Sequence, residues 1–359
     1  MAARITKRNA AVVISAGLIF SLGILLRQRP WQPSRLSINE AKANLKTALR
    51  ETLKTEHQAL FAHYLDIIGA DGILDVLEHA YNLCHSQAHP LGMAVVAKTR
   101  TIDEAIAACR GRCTGGCFHG VLMAALKDYA KAPSDDPEGH IEFDQLLAHA
   151  KDICDDPKTT RIHRRGNCAH GVGHALTFLA GYRLAEALDA CRSFTEQPLQ
   201  YYCSSGAFME RDIVYGHADA ATSSALAPCS QEETFPAACY RYKVKRLLRP
   251  GTTVEDIANR CLGLENLQRL GCFHGLGFSL LDDVFREPAM LAEVCRFGNA
   301  DDQKICIEGA IEKLADYDRG RAKAACKTLA PELRDHCRQA INYGLYSLEK
   351  PFSSYFPVP

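Results

Sequence analysis

Apolar residues recur at helical spacing along most of this chain, and no stretch alternates for long as a half-buried strand would. Residues 38–68, INEAKANLKTALRETLKTEHQALFAHYLDII, predict helix. GADGILDVLEHAYNLC, residues 69–84, predicts a further helix opening after Gly69 and Asp71. The pattern predicts an all-α domain.

The cysteines divide that domain into units. CFHGVLMAAL begins at Cys117, CAHGVGHALTFL at Cys168, CSSGAFMER at Cys203 and CYRYKVKRLL at Cys239; CFHGLGFSLL begins at Cys272, CIEGAIEKL at Cys306 and CRQAINYGL at Cys337. Successive steps are 51, 35, 36, 33, 34 and 31 residues, the longest holding PSDDPEGHIEF, which reads as an inserted loop. A period near 34 is that of a helix–turn–helix repeat, although the tryptophan, tyrosine and proline landmarks of tetratricopeptide repeats are absent. Each unit has a second cysteine upstream at the end of another helical pattern: Cys109, Cys154, Cys191, Cys229, Cys261, Cys295 and Cys326. The gaps within these pairs are 8, 14, 12, 10, 11, 11 and 11 residues, which suits a helix, a short turn and the start of the next helix. Seven hairpins, each stapled across its turn, account for fourteen cysteines, and Cys84 with Cys113 makes the eighth bridge. Closing such a loop contributes roughly 3 kcal/mol in the chain-entropy model. Zinc modules use tighter cysteine knuckles, so disulfides are the better account. Stacked hairpins form an open superhelix or a closed α/α ring, and repeat sequence alone does not separate the two.

Counting the downstream cysteine as position one, position three is His119, His170, Ser205, Arg241, His274, Glu308 and Gln339, all polar among largely apolar neighbours. Position four is glycine in five of the seven units. Glycine within a helix costs about 1 kcal/mol against alanine, so close approach to a neighbouring helix or to the staple is expected. His170 and His174 form an i, i+4 pair, as do His85 and His89 in NLCHSQAHPLGM. Such a pair directs two imidazoles from one helix face at one ion.

Composition sets the compartment and removes several functions. The 359 residues are 47% hydrophobic, with 42 basic and 42 acidic side chains, so no net charge or basic run recommends a nucleic-acid partner. Residues 10–26, AAVVISAGLIFSLGILL, carry no charge and are flanked by Arg4, Lys7, Arg8, Arg27 and Arg29. They read as an uncleaved membrane anchor, with a cleavable signal peptide as the alternative. Sixteen cysteines ask for an oxidising side of that membrane. The absence of any N-x-S/T sequon favours a bacterial periplasm. The expected organisation is an anchor over 1–29, a linker and leading helices over 30–70, the cysteine-rich repeat domain over 71–350 and a tail over 351–359.

No H-E-x-x-H, P-loop, nucleotide fingerprint, G-x-S-x-G elbow or haem-attachment motif is present. Two functional readings remain. In the first, His85, His89, His119, His170, His174 and His274 gather zinc, iron or copper on the inner face, with Glu308 as a further ligand or general base. In the second, the histidines are structural and the inner surface is a scaffold for an envelope protein or peptide. Arg241 and Lys243 are candidates to hold an anion, Ser205 and Gln339 complete the polar stripe, and Ser204 and Ser205 read as helix-start residues. Glu210, Arg211, Asp212, Lys243 and Lys245 read as a solvated helix face.

Overall fold

The computed structural model describes residues 37–130, 143–214, 229, 234–248, 250–343 and 346. The anchor, residues 10–26, the linker at 30–36, the tail and nearly all of the PSDDPEGHIEF insertion lie outside them. No helix of the described residues is long and apolar enough to cross a membrane. The chain divides at Glu40 into a short unit, 1–40, and a large one, 41–359, which contains everything below.

The described residues are helical, without strands. In chain order the helices are α1 (Ile38–Glu51), α2 (His57–Ala80), α3 (His85–Val96), α4 (Ile102–Ala108), α5 (Gly116–Ala130), α6 (Phe143–Asp155), α7 (Pro157–Ile162), α8 (Arg165–Leu179) and α9 (Leu184–Arg192). They continue with α10 (Gln197–Met209), α11 (Pro236–Leu247), α12 (Val254–Leu262), α13 (Asn266–Ser279), α14 (Leu281–Arg286), α15 (Met290–Val294), α16 (Ala300–Tyr317), α17 (Arg319–Lys327) and α18 (Pro331–Ala340). Helix starts carry the chemistry that their orphan N–H groups require. Thr253 and Asp256 form a capping box at α12, and Asn299 accepts from the Asp301 and Asp302 amides at α16. Gly69, the expected opening of a new helix, is a kink within α2 with φ +66°, a conformation that glycine adopts without strain.

All sixteen cysteines are bridged, as Cys84–Cys113, Cys109–Cys117, Cys154–Cys168, Cys191–Cys203, Cys229–Cys239, Cys261–Cys272, Cys295–Cys306 and Cys326–Cys337. These are the pairs that the spacing predicts. Most join the end of one helix to the beginning of the next.

The stapled partners divide into two layers. Helix α6 buries Leu146, Leu147, Ala150, Ile153 and Cys154, a single stripe, and leaves its other face in water. Helix α8 buries every residue from Gly166 to Thr177. A helix buried all round belongs to an interior, and α5, α10, α11 and α16 are buried in the same way. These inner helices contact in the order α3, α5, α8, α10, α11, α13, α16. The row bends back on itself: α16 meets the turn at 112–115, where the Tyr317 and Thr114 hydroxyls stand 3.3 Å apart. The Asn82 amide also donates to Asp282 at 2.9 Å.

The position-four glycines let these helices approach closely. A β-carbon on Gly120 would lie 2.0 Å from the His89 carbonyl oxygen, on Gly206 1.9 Å from that of His170, and on Gly309 2.0 Å from that of His274. The contact is with the backbone of the adjacent inner helix, not with the staple. Each glycine thus seats its helix against a polar-stripe or histidine-pair residue of its neighbour.

Candidate metal centre

Five of the six predicted histidines meet. His85 and His89 come from α3, His119 from α5, and His170 and His174 from α8, with nine of the ten pairs of ring centroids 4.8–6.4 Å apart. All five are buried. One ring nitrogen each from His85, His89, His119 and His174 can be chosen so that all four lie within 4.8 Å of one another. Nitrogens around a tetrahedral ion stand about 3.4 Å apart at ordinary metal–imidazole distances, so modest ring rotations would complete such a shell. The fifth ring adjoins this set, with His170 Nε2 3.2 Å from His174 Nε2.

Outer partners fix the rings and leave nitrogens bare. His85 Nδ1 is 2.9 Å from Thr114 Oγ1, and His119 Nε2 is 2.7 Å from Asn167 Oδ1. His170 Nδ1 is 2.9 Å from Ser205 Oγ, and His174 Nδ1 is 2.8 Å from Glu210 Oε2. His85 Nε2, His89 Nε2 and His119 Nδ1 have no hydrogen-bond partner although they are buried. Buried nitrogens are normally satisfied, and metal-binding histidines characteristically hydrogen-bond through the nitrogen that does not ligate. For His174 Nε2 to be bare, Nδ1 must carry the proton and donate it to Glu210 Oε2, an oxygen that accepts whether or not the carboxyl group is protonated.

Burial holds all five imidazoles well below their ordinary pKa, with His174 brought down to about 3. The Lys313 ammonium pushes each of them in the same direction. The rings are therefore neutral at physiological pH, the form that binds metal. Burial likewise raises Glu210 to about 8, against the pull of Lys54.

The remaining predicted residues fall elsewhere. His274 stands 3.2 Å from Glu312 Oε1, which also accepts from Arg241 Nη2 at 2.6 Å. It belongs to a second buried polar group, because α13 lies two helices beyond α10 along the row. Glu308 pairs with His336 at 3.0 Å, and the carboxylate beside the histidines is Glu210 instead. Ser205 is no helix start; it is buried within α10 and anchors His170. Arg241 and Lys243 are buried in α11. Gln339 is exposed, since α18 packs on α16 and α17 with one face in water. The solvated-face reading is overturned for Glu210, Asp212 and Lys243, all at most 2% exposed, whereas Arg211 is half-buried and Lys245 is exposed as expected.

Sequence reasoning missed Glu312 and Lys313. The signal for Glu312 was the i, i+4 face continued from position three: Glu308 to Glu312 repeats the step from His170 to His174. A second metal-like grouping, Glu78 with Cys84 and Cys113, uses sulfurs already spent in a disulfide.

Comparison with family models, with curated proteins and with solved structures finds no match to this chain.

Proposed function

We propose that the protein is an extracytoplasmic metalloprotein whose stapled helical ring, of period near 34 residues, holds zinc, iron or copper at His85, His89, His119 and His174. The observation that carries this reading is the set of four buried, neutral imidazoles, three of which keep a ring nitrogen without a partner. Imidazole donors suit these ions, and the oxidised cysteines cannot compete for them. Eight disulfides suit an oxidising compartment, and the apolar run at 10–26 supplies the anchor to a membrane bordering it. Metal bound here would act as a Lewis acid or redox centre. Asn167, Thr114, Ser205 and Glu210 orient the rings, and stapled helices hold them before metal arrives.

A cavity adjoining the centre favours an enzyme over a purely structural site. His85 lines a cavity of about 420 Å³, whereas structural zinc sites are closed.

Elemental analysis of tag-free protein tests the proposal. We expect near-stoichiometric metal in the parent and its loss in His89→Ala combined with His174→Ala, with the disulfides intact. A parent without stoichiometric metal, whose melting temperature is unmoved by added zinc, iron or copper, would make the histidines packing residues and return the scaffold reading.

A further inference from the structure

The cavity beside His85 contains a cation that no carboxylate of the described residues contacts directly. Lys313 lines it, is 5% exposed, and forms no hydrogen bond or ion pair with any described residue. Its ammonium sits 6.0 Å from the Phe278 ring, a weak contact for a buried charge. The carboxylates around it are otherwise engaged or displaced. Glu312 serves Arg241 and His274, and Asp316 lines an adjoining cavity and acts on Lys313 only through space. Lys245, on the same wall, donates to the Ser279 carbonyl at 2.9 Å, and Asp282 accepts from Asn82. Burial lowers Lys313 to about 8, which still leaves it mostly protonated at neutral pH. An unpaired buried charge is costly, and proteins retain one chiefly where something pairs with it.

The rest of the wall is largely apolar. Met209, Phe278, Leu281 and Tyr81 line the same space, and its volume lies within the range of small-molecule sites. We propose that this cavity binds an organic oxyanion, its acid group on Lys313 and its apolar body against Phe278 and Met209, presented to the histidine centre at His85. The binding itself rests on Lys313 and the cavity alone. Only the presentation to metal rests on the function proposed above.

The test uses the full-length protein, metal-loaded and chelator-treated, with calorimetric titration. Benzoate and phenylphosphate are the probes for the two acid types; benzamide and inorganic phosphate lack the charge and the body respectively. We expect saturable binding of benzoate, phenylphosphate or both, with benzamide and inorganic phosphate weaker by roughly tenfold or more. Lys313→Met should lose binding by a similar factor, and Lys313→Arg should retain most of it. Lys313→Met should also fold at least as stably as the parent, because it removes a buried charge that no described residue pairs with directly. Binding that survives chelation while the metal assay fails would sink the metal centre and leave the oxyanion site standing. Equal affinity for benzoate and benzamide, or benzoate binding unchanged in Lys313→Met, would overturn the proposal, as would the failure of both acid probes to bind.

Discussion

The inner layer holds two buried polar groups, and they are built on opposite principles. Around Arg241, charges of both signs meet: the guanidinium and His274 share the Glu312 carboxylate. Burial works to raise Glu312, yet Arg241 and His274 outweigh it and hold the carboxyl below its ordinary pKa. Around His174, five neutral rings face one another, three of them with a bare nitrogen, and the one carboxyl group, Glu210, stands behind them. The first group is compensated in charge from within, although Arg241 Nε and Glu312 Oε2 keep no hydrogen-bond partner. The second is a set of lone pairs without an electrophile. Both sit on inner helices at the same register and both keep buried polar atoms without a partner, so neither property alone marks a site; what separates them is that opposite charges meet in the first and only neutral nitrogen donors converge in the second.

Breaking the compensated group should give the largest loss of stability. Arg241→Met leaves Glu312 buried beside His274 without its main counter-ion, and we expect a cost of about 3–5 kcal/mol in denaturant unfolding. Metal content should be unchanged. Adding Glu312→Gln to the same chain should recover much of the loss, which a purely steric defect would not allow.

Acid should sharpen the contrast in metal-free protein. His163, stacked on Phe118 outside both groups, is lowered to about 4 by burial, and His174 to about 3. The unfolded chain binds protons near pH 6.5, whereas the native chain does not until these lower values. The unfolded state therefore holds more protons in that window, and stability falls as pH drops from about 6.5 toward 4. Each such histidine contributes a slope of about 1.4 kcal/mol per pH unit. Urea midpoints at pH 7 and pH 5 check this, and a flat profile would mean the rings are already charged or exposed.

The smallest effect separates the groups by geometry alone. Gly206→Ala and Gly309→Ala each force a β-carbon onto a neighbouring backbone carbonyl, that of His170 or of His274. Overpacking of this kind costs about 1–3 kcal/mol in either case. Gly206→Ala should in addition weaken metal binding, by displacing α8, while Gly309→Ala should leave it intact.

Much of this architecture was legible because cysteine spacing is a covalent constraint: a hairpin of about eleven residues admits few pairings. The glycines after position three announced close helix contacts for the same reason, since nothing larger fits against the His89, His170 and His274 carbonyls. Convergence of the histidines was not legible. It depends on how sharply the inner row curves, and curvature is the sum of small rotations that no single unit encodes. The same cause misplaced His274 and Glu308, which share the register of His170 but lie farther along the row. Glu210 was misread because a charged residue in one unit looks solvated until the neighbour that covers it, here α8 with His174, is known.

X-ray absorption at the edge of the bound metal tests the central claim most directly. We expect a first shell dominated by nitrogen at about 2.0–2.1 Å, with the multiple scattering of several imidazoles and no sulfur. A sulfur shell at about 2.3 Å, or a shell of oxygen without imidazole, would contradict it.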